Sequence, residues 1–143
     1  MRPGMQVCLA LLCFLVSGIC SLLESRGIRA SFSFGPLIGG PSWLKVHIKT
    51  RLECESGEVA VLDFVPALAS VEDIPRNNAR LLLGQSVDGL VRVKFNSPEG
   101  PKNATLVALA EKIFEENSSR KLHLYRNNCY HFAYRAWRTV FDN

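Results

Sequence analysis

Between residues 43 and 54 the chain alternates. Leu44, Val46, Ile48, Leu52 and Cys54 are apolar, and Lys45, His47, Lys49, Arg51 and Glu53 between them are polar. A period of two predicts a strand with one buried face. Residues 58–65 are, after Glu58, apolar on both faces except at Asp63, and they stop at Pro66. That pattern predicts a strand central in its sheet. A third strand is expected over residues 87–95, where Leu90, Val91 and Val93 contrast with Arg92 and Lys94. Elsewhere the spacing changes to three and four. A short helix is expected from residue 70 to about residue 83, closed by Gly84. Leu106, Leu109, Ala110, Ile113 and Phe114 mark an amphipathic helix over residues 104–116, with Asn103 where its N-cap belongs. Phe132, Ala133, Ala136, Trp137 and Val140 mark a last helix that opens near Cys129, just after Asn127 and Asn128. Residues 121–125 read as a short strand or extended lead-in to it. The fold class expected is α+β, a small antiparallel sheet packed against helices.

The first part of the chain differs. Residues 3–23 carry no charge, and residues 7–16 are strongly apolar, with Arg2 ahead of them. This reads as a signal peptide or a membrane anchor over residues 1–23. Arg26 and Arg29 follow the stretch, so charge does not choose an orientation. Residues 24–42, punctuated by Gly35-Pro36 and Gly39-Gly40-Pro41, are expected to be a linker, leaving 43–143 as the folded domain. The location expected is the endomembrane system or the outside of the cell, with a single-pass anchor as one form. Asn103-Ala104-Thr105 and Asn117-Ser118-Ser119 are glycosylation sequons that fit such a location, making Asn103 and Asn117 candidate acceptors.

Composition narrows the function. A chain of 143 residues, 48% hydrophobic and 21% charged, has room for one globular domain with a modest core. The net charge of +4 is scattered along the sequence, with no basic run, so no nucleic-acid partner is expected. Of the five cysteines, Cys8, Cys13 and Cys20 lie in the apolar stretch, and only Cys54 and Cys129 belong to the domain. No Cys or His spacing suits a structural metal, and no glycine-rich loop suits a phosphate, so neither metal nor cofactor is expected.

The remaining chemistry centres on Cys129. A sulfur in the first turn of a helix sits among N–H groups and the positive end of the helix dipole, which favours a thiolate. A thiolate nucleophile also needs a base or cation beside it. Of the three histidines, His131 is two residues from Cys129 and points elsewhere on a helix. His123 precedes the helix, and His47 lies on the polar face of the first predicted strand. Cys54 falls on the opposite, apolar face of that strand. Asp63 shares a face with His47 if the turn between the two strands has three residues, and faces away if it has two. Asp63 is then either an orienter of His47 or a strand aspartate paired with Lys49 or Arg51.

The run Asn128-Cys129-Tyr130-His131-Phe132 resembles the Asn-Cys-x-His-Phe signature of permuted papain-like thiol enzymes, the lecithin:retinol acyltransferase-like and PPPDE-type families. The resemblance covers about residues 40–140. It implies a circularly permuted papain-like fold with a catalytic histidine on an early strand and a nucleophilic cysteine opening a later helix. His47 and Cys129 stand in that order, which implies His47 as base and Cys129 as nucleophile of a hydrolase or acyltransferase. The substrate would be an amide, ester or thioester of a lipid or protein, met at a membrane through the N-terminal segment. Two departures stand beside the likeness. Ile48-Lys49 follows the histidine where the acyltransferase-like branch often has a small residue, and Tyr130 replaces an acidic residue. The alternative expectation is a non-catalytic lumenal or membrane-tethered interaction module, either an inactive relative or a chain with a Cys54–Cys129 disulfide.

Overall fold

The computed structural model describes residues 19–25, 27–36, 39 and 47–142. Strands β1 (Ile19–Ser25), β2 (Ile28–Gly35), β3 (His47–Cys54) and β4 (Val59–Pro66) come first. They are followed by helix α1 (Asp73–Leu82), strand β5 (Val87–Phe95), helix α2 (Ala104–Asn117), the two-residue strand β6 (Lys121–Leu122) and helix α3 (Cys129–Phe141). The strands lie side by side in sequence order, each antiparallel to the next. The fold is α+β, as the periodicity predicts.

Strand parity sorts the sheet into two faces. Ile28, Ala30, Leu52, Cys54, Leu62 and Phe64 point to one side and are buried. Against them pack the apolar stripes of α2, through Leu106, Leu109 and Ile113, and of α3, through Phe132, Ala136 and Val140. The other face collects Arg29, Lys49, Arg51, Arg92 and Lys94, cations that lie far apart in sequence but meet through the β2–β3–β4–β5 register. Asp63 is buried on that face, at 4% exposure, as are His47, Val59 and Val65.

Two sequence expectations change. The segment expected as a linker, 24–42, contains β2, which pairs with β3 from Ile28–Cys54 to Gly35–His47. Ile28, Ala30 and Phe32 alternate with Arg29, Ser31 and Ser33, a period-two signal that the nearby Gly-Pro punctuation obscures. The expected signal or anchor lies outside the described residues as far as residue 18, and residues 19–23 belong to β1. An unbroken apolar run has no period, so it does not mark where such a segment gives way to a strand. Among the described residues no helix is long and apolar enough to cross a membrane.

The turn between β3 and β4 positions the site. Gly57 N–H donates to Cys54 O, Cys54 N–H donates to Glu58 O, and Gly57 has φ +87°. That left-handed conformation favours glycine. The loop therefore has three residues, Glu55, Ser56 and Gly57, and the register places Thr50 opposite Leu62. Asp63 thus shares a face with His47 rather than turning away.

Candidate active site

The motif around Cys129 builds a rigid helix start. Asn128 is the N-cap of α3, and its Oδ1 accepts from the N–H groups of Tyr130 (2.9 Å) and His131 (3.3 Å). His131 Nδ1 accepts from Asn128 N–H at 3.2 Å, completing a reciprocal capping box. Asn128 Nδ2 also donates to Leu124 O at 2.7 Å, which ties the preceding loop to the cap. Phe132, fully buried, stacks on Phe64 of β4 with ring centroids 5.8 Å apart and anchors the helix to the sheet. Asn128, His131 and Phe132 thus hold Cys129 in place. His131 is engaged in the cap and is no base for the sulfur. Burial, and then the charge of Arg135, lower its pKa, consistent with a neutral ring that accepts a backbone proton.

His123 has a structural place as well. Its Nδ1 accepts from Tyr125 and Arg126 N–H at 3.1 Å each, and its Nε2 lies 2.9 Å from Gly84 O. It shapes the loop that leads into α3.

His47 comes to Cys129. At the start of β3 its imidazole is 3% exposed and Cys129 is 7% exposed. Its Nε2 lies 3.1 Å from Asp63 Oδ2, and the ring also hydrogen-bonds the Cys129 side chain. Burial disfavours a charged ring. The hydrogen bonds to Asp63 and Cys129, with the electrostatic pull of the two groups, outweigh burial and raise the His47 pKa to about 9. Asp63 is in turn held by Arg92, whose Nε donates to Oδ1 at 2.8 Å and whose Nη2 donates to Oδ2. Burial raises the Asp63 pKa, but His47 and Arg92 overcome it and lower it to about 2. The chain of contacts runs Cys129, His47, Asp63, Arg92.

Arg92 was not singled out by the sequence, where it is one polar position in an alternating strand. The pairing expected for Asp63, with Lys49 or Arg51, gives way to Arg92, directly opposite it in the β4–β5 ladder. Arg51 instead meets Glu53 at 3.3 Å on the exposed face.

The Cys54–Cys129 disulfide is overturned. Cys54 ends β3 and His47, the neighbour of Cys129, begins it. Seven steps at about 3.3 Å separate the two ends by about 23 Å, far beyond the reach of a disulfide. Cys54 Sγ lies 3.0 Å from Ser56 Oγ instead.

The two glycosylation candidates part ways. Asn103 is the N-cap of α2, accepting from Leu106 N–H at 3.0 Å. Asn117 is fully buried. Its Nδ2 donates to Ile113 O at 2.7 Å, and its Oδ1 accepts from Arg135 Nε at 2.6 Å. The nitrogen that would carry a sugar is thus inside the α2–α3 contact, which corrects the expectation for Asn117.

A cleft of about 170 Å³ opens beside the sulfur. Its apolar lining comes from Phe64, Val65 and Pro66 of β4, Leu81 of α1, and Leu122 and Leu124, and His47, Asn78, Asn128, Cys129 and Tyr130 complete it. Among the described residues no group of three or more His, Cys, Asp or Glu side chains could hold a metal ion. No family model, curated protein or solved structure matches this chain.

Proposed function

We propose that the chain is a cysteine-dependent hydrolase or acyltransferase that opens an amide, ester or thioester through an acyl-enzyme. The observation that carries this reading is the placement of His47, hydrogen-bonded to Asp63 on one side and to Cys129 on the other, at the end of an apolar cleft. A nucleophile, a base and a group that orients the base form the general pattern of covalent catalysis.

The steps follow from the contacts. Cys129 attacks the carbonyl carbon as the thiolate of an ion pair with His47. With Nε2 engaged by Asp63, the imidazole has Nδ1 left for the sulfur and the reacting atoms. His47 then protonates the leaving group, and the acyl group stays on Cys129. Water as acceptor gives hydrolysis; an amine or alcohol acceptor gives transfer. The N–H groups of Tyr130 and His131 are held by Asn128, so oxyanion stabilisation from this turn rests on the positive end of the α3 dipole.

The order of elements, a histidine strand well ahead of a cysteine-led helix, supports the permuted papain-like reading of the fold. The uncharged stretch over residues 3–23 supports an endomembrane or extracellular setting for the reaction.

The test is labelling of Cys129 by iodoacetamide, followed by intact mass, in the wild type and in His47→Ala, together with turnover of a panel of small esters and thioesters. The reading requires labelling at neutral pH that slows at least about tenfold in His47→Ala, and turnover abolished by Cys129→Ala. Labelling indifferent to His47, without turnover, would leave a non-catalytic binding module.

A further inference from the structure

The cleft beside Cys129 is shaped for more than access. Its apolar walls are Phe64, Val65, Pro66, Leu81, Leu122 and Leu124, and the lining also includes His47, Asn128, Cys129 and Asn78. Its volume is about 170 Å³. An engineered cavity of about 150 Å³ with a comparable Leu/Ile/Phe lining stays dry and binds benzene. A space of this size therefore holds about six carbons. It is too small for a long acyl chain, and an acetyl group would leave most of its apolar wall uncovered.

We propose that this cleft is an acyl pocket that selects medium-length apolar acyl groups, with about six carbons beyond the carbonyl. The proposal rests on Cys129 as the nucleophile. Its substrate class is a thioester or ester of a medium-length carboxylic acid. The carbonyl carbon sits at the sulfur and the alkyl chain runs between Leu81 and Leu124. In the first step a C–S bond to Cys129 forms as the bond from carbonyl carbon to leaving group breaks. The leaving group departs with the bonding pair and takes the His47 proton. In the second step water adds to the carbonyl and returns a proton to His47. The carboxylic acid leaves, and the Cys129 thiolate is restored.

Chain-length dependence is the signature. Each methylene buried up to the limit of the cleft raises kcat/KM about fourfold. Hexanoyl, with four more methylenes, should then exceed acetyl by about 250-fold, octanoyl should be at least as high, and dodecanoyl should fall back.

The experiment uses the full chain and the S-acyl-N-acetylcysteamine thioesters of acetate, butanoate, hexanoate, octanoate and dodecanoate. It reads turnover together with the mass of acylated Cys129. A parallel series of N-ethyl-, N-hexyl- and N-dodecylmaleimide reads the pocket by labelling rate alone and needs no turnover. Leu124, half-buried in the wall, is varied to Trp and to Ala, with folding checked by circular dichroism. Leu124→Trp should lower the hexanoyl-to-acetyl ratio about tenfold, and Leu124→Ala should move the optimum toward dodecanoyl. A flat profile, or one rising without limit to dodecanoyl, overturns the acyl pocket when wild-type Cys129 still labels with iodoacetamide in a His47-dependent way. If that labelling ignores His47, the catalytic reading falls and takes the acyl pocket with it.

Discussion

Asp63 stands directly opposite Arg92 in the β4–β5 ladder, and its carboxylate accepts from Arg92 Nε at 2.8 Å. The same carboxylate reaches His47 Nε2 at 3.1 Å. Asp63 is buried, whereas the Arg92 side chain is 45% exposed, so the two partners of this pair should not cost the same to remove. Asp63→Ala removes the buried carboxylate that accepts from both His47 and Arg92 and should cost about 3 kcal/mol in urea denaturation at neutral pH. Arg92→Ala removes a solvent-screened partner and should cost about 1 kcal/mol. Equal losses would show that the carboxylate is not the hub of the group.

The titration of this cluster has a sign. His47 is raised to about 9 from its ordinary 6.5. Its contribution to stability is therefore fully present below about pH 6.5 and lost as pH rises through about 9. Asp63 is lowered to about 2 from 3.8, so its contribution is present above about pH 4 and lost as pH falls through about 2. Thermal unfolding across pH should show an alkaline decline in the wild type, worth about 3 kcal/mol. The decline should be absent in His47→Gln. Turnover should fall over the same alkaline range, because His47 has then lost the proton that the leaving group needs.

The capping box predicts a second, acidic effect. His131 accepts the Asn128 N–H through Nδ1, and its pKa is lowered by burial and by Arg135. Its contribution is therefore present above about pH 6.5 and declines as pH falls below that value. Replacing Asn128 by Ala should cost about 1 kcal/mol and lower turnover by more than that stability loss explains, since the first turn carries Cys129. Glutamine can take the same reciprocal position in a capping box, so His131→Gln should retain activity that His131→Ala loses. Equal activities in the two variants would rule out the cap as the means of placing Cys129.

Gly89 lies against the Phe64 ring. A Cβ there would run into the Phe64 ring and lie 2.8 Å from the Arg120 carbonyl. Gly89→Ala should therefore destabilise the protein by about 1–3 kcal/mol. It should also displace the Phe64 wall of the cleft, raising KM for apolar substrates. Thermal melts and steady-state kinetics of the variant check both effects.

Asn117 gives a test that needs no assay of function. Expressed in a glycosylating host, the folded chain should carry no glycan at Asn117, read by peptide mass. Asn117→Ala should cost about 2 kcal/mol, because the Arg135 guanidinium loses a charge-assisted acceptor in a partly buried contact. A glycan at Asn117 on folded protein would require α2 and α3 to pack differently.

Much of this protein was legible one element at a time. The alternation around His47, the two-sided apolar run of β4 and the stripes of α2 and α3 each repeat within a few residues, so local periodicity predicts them. The start of α3 was legible too, because an N-cap asparagine ahead of an apolar stripe is a local signal. The same holds for the place of Cys129 in the first turn of that helix.

Tertiary structure decided what meets what. Asp63 could face His47 or turn away until the Glu55-Ser56-Gly57 loop set the parity of β4 against β3. Arg92 lies 29 residues from Asp63, and only the strand register joins them. β2 was hidden by the glycines and prolines that follow it. Asn117, a sequon by its neighbours, became an interior residue when α3 brought Arg135 against α2. Spacing within an element follows from backbone geometry and the burial of one face. Pairing between elements depends on how those faces close over one core, and no short stretch of the chain carries that information.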